Sequence, residues 1–343
     1  MSERFLYVSC AGKREIYSLA MERATGALRT AAVTVVPGLA EGGHSMALAL
    51  SPDRSVLYAA VRTLPYPCAS YAVDSNYGQL TLLGVAPLAA EVCYIATDRT
   101  GRTLLSASYQ GSKICSNPID ARGIVRSPAT QVIDTPPSAH SILPDPGNRF
   151  VFAASLGGDC IVRAAFDAEA GVMKVLEPVR AKEGAGPRHM RFSRDGRFLY
   201  LINEIDGTIN AYGFDAGGGG LAEIQSITLL PPGVSGRMAS ADLHLTPDGR
   251  FLYGSERVTN TLAGFRVDAE SGVLSPIGSV ASEDSPRGFA VDPTGHFLLC
   301  AGQKSSRVGV YAIDQASGAL TRIGVHEVGE NPNWIEFLDP VEL

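Results

Sequence analysis

The chain has 343 residues, 45% of them hydrophobic, and a formal net charge of −6. That charge, with no run of Lys and Arg, argues against nucleic acid as a partner. No apolar stretch reaches the length of a membrane span, and the opening Met1-Ser-Glu-Arg-Phe-Leu-Tyr7 lacks the apolar core of a signal peptide, so no membrane contact and a cytoplasmic setting are expected.

From the N-terminus onward one phrase returns: a turn, then a bulky apolar run that ends in small residues. The runs start at Phe5, Val56, Thr103, Phe150, Phe198, Phe251 and Phe297, with spacings of 46 to 53 residues. The copy from Arg188 to Leu230 shows the grammar. His189 to Ser193 reads as a short strand, Arg194-Asp-Gly-Arg197 as a tight turn, and Phe198 to Asn203 as a second, more apolar strand. Asp206-Gly207 then turns into Thr208 to Phe214, and the glycine tract 217–220 turns into Leu221 to Leu230. Four antiparallel strands joined by hairpins and repeated seven times predict an all-β, seven-bladed β-propeller, with residues 1–343 as a single domain. Helical periodicity is absent over any useful length. The chain opens on the second strand of a copy, and Trp334-Ile-Glu-Phe337 supplies the missing first strand. The termini therefore share a blade, which removes a free edge. Cys10, Cys68, Cys93, Cys115, Cys160 and Cys300 form no Cys-x-x-Cys pair and are expected to be reduced, buried thiols.

Ligands of a propeller gather at its axis, near the loops that enter the first strands and those that leave the second strands. Entering the first strands are His44, Tyr94, His140, Arg188 with His189, Asp242 with His244, Arg287, and Asn333 with Trp334. Leaving the second strands are Arg62, Tyr109, Glu204, Glu256 with Arg257, and Gln303 with Lys304. One structural slot thus holds His, Arg, Asp or Tyr in different copies, the pattern of a site assembled from several blades. Arginine concentrated at the axis of an acidic protein points to a small anion, which the planar guanidinium fork suits. The competing reading, that these arginines pair with neighbouring carboxylates, weighs equally for Glu256-Arg257.

At these residues the sequence resembles a known family. Gly184-Ala-Gly-Pro-Arg-His-Met190, Asn203-Glu204, Ala241 to Gly249, Ser285-Pro-Arg-Gly-Phe289 and Ala301-Gly-Gln-Lys-Ser305 look like the seven-bladed bacterial 6-phosphogluconolactonases, themselves similar to fungal carboxy-muconate lactonizing enzymes. Tyr94 stands where that family leads one to expect His. The resemblance implies hydrolysis of a sugar-acid δ-lactone, in the favoured case 6-phosphoglucono-δ-lactone to 6-phosphogluconate in the pentose phosphate pathway. It also matches His140, Arg188, Glu204 and Arg287 to the family's active-site positions.

Lactone hydrolysis needs an activated water, a stabilised oxyanion and a protonated leaving alkoxide. Glu204 is the candidate general base, provided its pKa rises, and His140 the candidate acid, although the two can exchange roles. Arg188 is assigned to the oxyanion. Arg287, Arg62 and Lys304 are assigned to the distal phosphate or carboxylate, with Gln303, Asp242, Tyr109 and His44 as further binding residues. No cofactor and no metal are expected, because the axis carries too many cations to welcome a divalent ion. Three other readings remain: a lactonase for an unphosphorylated aldaric or aldonic lactone, a muconate-type cycloisomerase, and a non-catalytic interaction propeller.

Overall fold

The protein is described by a computed structural model that covers residues 3–38 and 43–339. Its 28 strands, numbered β1 to β28 in chain order, make seven four-stranded antiparallel sheets, and no helix occurs among the described residues. This is the seven-bladed propeller that the repeat predicts. The inner strands are β4 (Met46–Leu50), β8 (Tyr94–Thr97), β12 (Ala139–Pro144), β16 (Pro187–Phe192), β20 (Ser240–Leu245), β24 (Pro286–Val291) and β28 (Pro332–Phe337). Each packs on the next around the axis, and β28 returns to β4.

Closure follows the expected pattern. Strand β28 pairs antiparallel with β1 (Glu3–Cys10), with Leu6 opposite Phe337 and Val8 opposite Ile335. The C-terminal strand thereby completes the sheet that the N-terminal strands begin. The last described strand is thus hydrogen-bonded to the first, and the ring has no free inner edge.

The recurring phrase is the second strand of each blade. Strands β5 (Val56–Val61), β9 (Thr103–Ser108), β17 (Phe198–Asn203), β21 (Phe251–Glu256) and β25 (Phe297–Gly302) are buried along their whole length. Sheets pack against them on both faces, so they read as continuous apolar runs rather than alternating ones. The outermost strands alternate instead, as in β27 (Leu320–Glu327). The recurring Gly has a packing reason as well as a conformational one. Gly272 has φ of 73°, and a Cβ there would lie 2.5 Å from the ring of Phe198 in the preceding blade. The turn aspartates are equally specific: Asp145 Oδ1 accepts the backbone N–H groups of both Arg149 and Phe150 at 2.6 Å. All six cysteines are buried and unpaired.

Candidate active site

All inner strands run the same way along the axis. Their first residues therefore gather at one mouth of the channel and their last residues at the other. At the first mouth the pairing slips. The register shifts between Ala139 and Ser141, between Pro187 and His189, between Ser240 and Leu243, between Pro286 and Gly288, and opposite Ser9 and Cys10. His140, Arg188, Arg287 and Asn333 are the single residues left over, while the slip between Ser240 and Leu243 leaves both Ala241 and Asp242. A bulge releases a side chain from the sheet's strict alternation and re-aims it, here into the channel. The local sequence sets up the kink. Two residues before each of these four sit Ser138 (φ 65°), Gly186 (φ 73°), Ser285 (φ 58°) and Asn331 (φ 58°), all left-handed. The second ring of side chains comes from the residue that follows each second strand: Arg62, Tyr109, Glu204, Arg257 and Gln303.

Glu204 is the hub. Its Oε2 accepts from Arg188 Nε at 2.7 Å and lies 3.1 Å from Arg257 Nη2. Burial alone would raise the Glu204 carboxyl, but Arg188, Arg257 and Arg287 outweigh it and hold the pKa below the usual carboxylate value. Arg188 is 1% exposed and fixed at three points. Besides Glu204 it donates to the Ala241 carbonyl and reaches His189 Nε2 at 3.1 Å. His189 Nδ1 in turn faces Asp242 Oδ1 at 2.8 Å. An arginine donating to Nε2 requires the Nδ1–H tautomer, so His189 donates to Asp242 and stays neutral. Burial and Arg188 lower its pKa to about 3.

Two groups in this mouth lack partners, while a third is matched within the cluster. Arg257 donates Nε to the Ala239 carbonyl at 2.7 Å and pairs through Nη2 with Glu204 Oε2 at 3.1 Å. Arg287 makes no hydrogen bond and no ion pair among the described residues. Burial, Arg188 and Arg257 push its pKa down to about 9, and burial with Arg188 brings Arg257 to about 10. His140 is buried, its Nδ1 has no partner, and its ring meets only the edges of Tyr109 (5.7 Å) and His189 (5.2 Å). Burial first, then Arg188, His189, Arg287 and Arg257, hold its pKa well below the ordinary histidine value. Buried polar groups are normally satisfied, so the unmet His140 Nδ1 beside the half-buried, unpaired guanidinium of Arg287 marks a place for a ligand with acceptor oxygens.

The structure brings together His140, Arg188, Glu204, Arg287 and Tyr109. It treats the other expected residues differently. Arg62 reaches the mouth but is neutralised by Glu91, at 2.6 Å, with both side chains nearly buried. Gln303 is a rim brace, bonded to Asn331 Oδ1 at 2.8 Å and to the His44 carbonyl at 3.4 Å. His44 and Lys304 are exposed side chains outside the buried cluster. Asp242 lies one residue deeper than the bulge positions, and His189 and His244 occupy both its oxygens. It is a support and offers no oxygen to a ligand in the mouth. Burial would raise its pKa, yet His244 and His189 hold it well below the ordinary value. The pairing of Arg257 with Glu256 is also replaced: Glu256 accepts the backbone N–H groups of Ala239 and Thr259, and Arg257 turns to Glu204. Tyr94 does not take a histidine's place in the well. It begins β8 one step deeper, where its ring meets His189 and Trp334, both at 5.1 Å. Glu91 was missed because it lies in the loop before β8, outside the repeat slots. Among the described residues no group of three or more His, Cys, Asp or Glu is placed to hold a metal ion, and no helix is long and apolar enough to cross a membrane.

Ring and well together define a β-propeller whose axis presents cationic and imidazole groups that its own side chains leave unmatched. Comparison with known proteins gives this class a family. The chain belongs to the family described as Lactonase, 7-bladed beta-propeller, whose model matches residues 3–337. It is 36% identical over 337 residues to a 6-phosphogluconolactonase of Serratia proteamaculans, covering 98% of this chain and 99% of the relative. It is 39% identical over 298 residues to a 6-phosphogluconolactonase of Pectobacterium carotovorum, covering 86% and 89%. Among solved structures, the periplasmic gluconolactonase PpgL of Pseudomonas aeruginosa superposes with a TM-score of 0.88 at 28% identity, over 99% of this chain and all of that one.

Proposed function

We propose that the chain hydrolyses a phosphorylated sugar-acid δ-lactone, 6-phosphoglucono-δ-lactone, to 6-phosphogluconate at the mouth built around Arg188. The observation that carries this reading is the convergence of unpartnered His140 and Arg287 beside the Arg188–Glu204–Arg257 cluster in one well. Both relatives described above are named for the phosphorylated substrate, which favours it over the unphosphorylated lactone of the gluconolactonase.

The electrostatics favour His140 for both proton transfers and leave Glu204 without one. A carboxylate held below its ordinary pKa by three guanidiniums is a weak base, so Glu204 serves to hold Arg188 and to shape the charge of the well. A neutral, buried imidazole with a free nitrogen is poised to take a proton from water. Burial first and then the arginines depress the His140 pKa in the free enzyme, and a bound anion cancels much of the arginines' share. Substrate binding thereby raises the basicity of His140 where it is needed. In the reaction His140 accepts a proton as the water oxygen bonds to the lactone carbonyl carbon. Arg188 and Arg287 stabilise the oxyanion and the distal phosphate, with Arg257 Nη2 as a further donor. The tetrahedral intermediate then collapses, the ring C–O bond breaks, and His140 returns its proton to the leaving alkoxide. A phosphorylated substrate and six unpaired buried thiols both suit a reducing, cytoplasmic setting.

The test is a rate comparison on freshly made 6-phosphogluconolactone, glucarolactone and galactarolactone, each against a buffer blank. The reading expects the phosphorylated lactone to be turned over fastest. Equal, slow rates on all three would remove the phosphate preference.

A further inference from the structure

The other mouth of the channel, where the inner strands end, holds a cavity of about 690 Å³. That is within the roughly 300–1,000 Å³ of small-molecule sites. It is separate from the His140 well. The rings of Tyr94, His189 and Trp334 stand between the two, and Tyr94 and Trp334 line the cavity while His189 does not.

Guanidinium outnumbers carboxylate in the lining of this cavity, although Arg191 Nη2 also lies 3.8 Å from Asp242 Oδ1. Arg54, Arg99, Arg191 and Arg194 line it against Asp98 and Glu336. Asp98 is used up by its own turn, accepting the backbone N–H groups of Thr100, Arg102 and Thr103 and the side-chain amide of Asn148. Arg54 donates to the Phe337 carbonyl, and Arg99 to the Asp145 and Pro144 carbonyls, so their charges are not cancelled by ion pairs. Arg194 is exposed on the wall and has no side-chain partner among the described residues. On the floor Arg191 Nη1 donates to the Tyr94 hydroxyl oxygen at 2.7 Å. That leaves the Tyr94 O–H proton without an acceptor among the described residues, although Tyr94 is only 5% exposed. A buried hydroxyl proton and an excess of guanidinium, set beside an aromatic floor, ask for a ligand with anionic oxygens.

From this geometry we infer that the far mouth is a second small-molecule site, for an organic anion of sugar-acid size bearing a carboxylate or a phosphate. Arg191 and Arg194 hold the anionic group, the Tyr94 hydroxyl donates to it, and the sugar chain lies over Tyr94 and Trp334. The site is distinct from the reaction centre and makes the axis two-ended.

Trp334 is the chain's single tryptophan and lines this cavity, so its fluorescence reads occupancy directly. The experiment is a titration of the full chain with gluconate and with 6-phosphogluconate, in wild type and in Arg287→Ala, Arg194→Glu and Glu336→Gln. Gluconate reports the carboxylate arm and 6-phosphogluconate the phosphate arm. A saturable fluorescence change with either probe, retained in Arg287→Ala, supports the site. Reversing one wall charge is expected to weaken binding about tenfold, and Glu336→Gln to tighten it about threefold. Two results overturn the inference: no saturable change with either probe, or a change that Arg287→Ala abolishes and Arg194→Glu leaves untouched.

Discussion

Glu204→Gln separates the two possible jobs of this carboxylate. With Oε2 at 2.7 Å from Arg188 and 3.1 Å from Arg257, the gross attractions at an effective dielectric of 20 are about 6 and about 5 kcal/mol. Little of this survives as net stability, because all three groups were desolvated to make the contacts. Removing one partner of a buried pair costs about 3–5 kcal/mol. Glu204 is 24% exposed, and glutamine keeps an acceptor for Arg188, so a loss of about 2 kcal/mol is expected. For 343 residues the entropy of unfolding is about 0.7 kcal/mol/K, which places the fall in Tm near 3 °C, measurable by calorimetry. The same change adds a positive charge to the well, so competitive inhibition by phosphate should tighten about tenfold. If Glu204 only positions Arg188, kcat should fall about tenfold; a general base is worth about 10²–10⁴. A loss of kcat beyond about 100-fold with phosphate inhibition unchanged would refute the assignment of the base to His140 and return it to Glu204.

Four further outcomes are specific. His140→Ala should lower kcat by about 10²–10⁴ while the thermal transition stays cooperative; wild-type turnover would remove His140 from the chemistry. The His140 pKa is depressed in the free enzyme and is raised by a bound anion, so the acidic limb of kcat should lie at higher pH than that of kcat/KM; coincident limbs would contradict the field argument. The same depression, shared by His189, means the folded state resists protonation. The linked stability is present above the ordinary histidine pKa and is lost as pH falls below it, so Tm should decline on acidification from pH about 6.5. Ending the chain after Glu330 removes β28 and exposes the inner edge of β1, so the truncated chain should lose its cooperative melt; a transition at the parent temperature would show that closure adds nothing.

The ring was legible because each blade needs one strand buried on both faces, and Phe198 to Asn203 or Phe251 to Glu256 cannot be read as anything solvent-facing. The shared blade was legible too, because Trp334 to Phe337 reads as a first strand, and it pairs with β1. The well was only half legible. Gly186-Pro187-Arg188 and Ser285-Pro286-Arg287 carry the left-handed residue that sets up a bulge, and so they announced residues aimed at the axis. The depth of a side chain along the axis is a matter of register, and one residue separates Arg188 in the mouth from His189 and Asp242 beneath it. Charge partners across blades were not legible at all. Arg62 finds Glu91 and Arg257 finds Glu204 through contacts that no spacing within a repeat encodes.

The most direct test is the ratio of kcat/KM for 6-phosphogluconolactone to that for unphosphorylated gluconolactone, measured in the wild type and in Arg287→Ala. An unpartnered, half-buried guanidinium that receives the phosphate should make the wild-type ratio at least about 100, and its removal should lower that ratio by about tenfold or more, mainly through the phosphorylated substrate. A ratio near one in the wild type, or one that Arg287→Ala leaves unchanged, would contradict the assignment of the well to an anionic lactone.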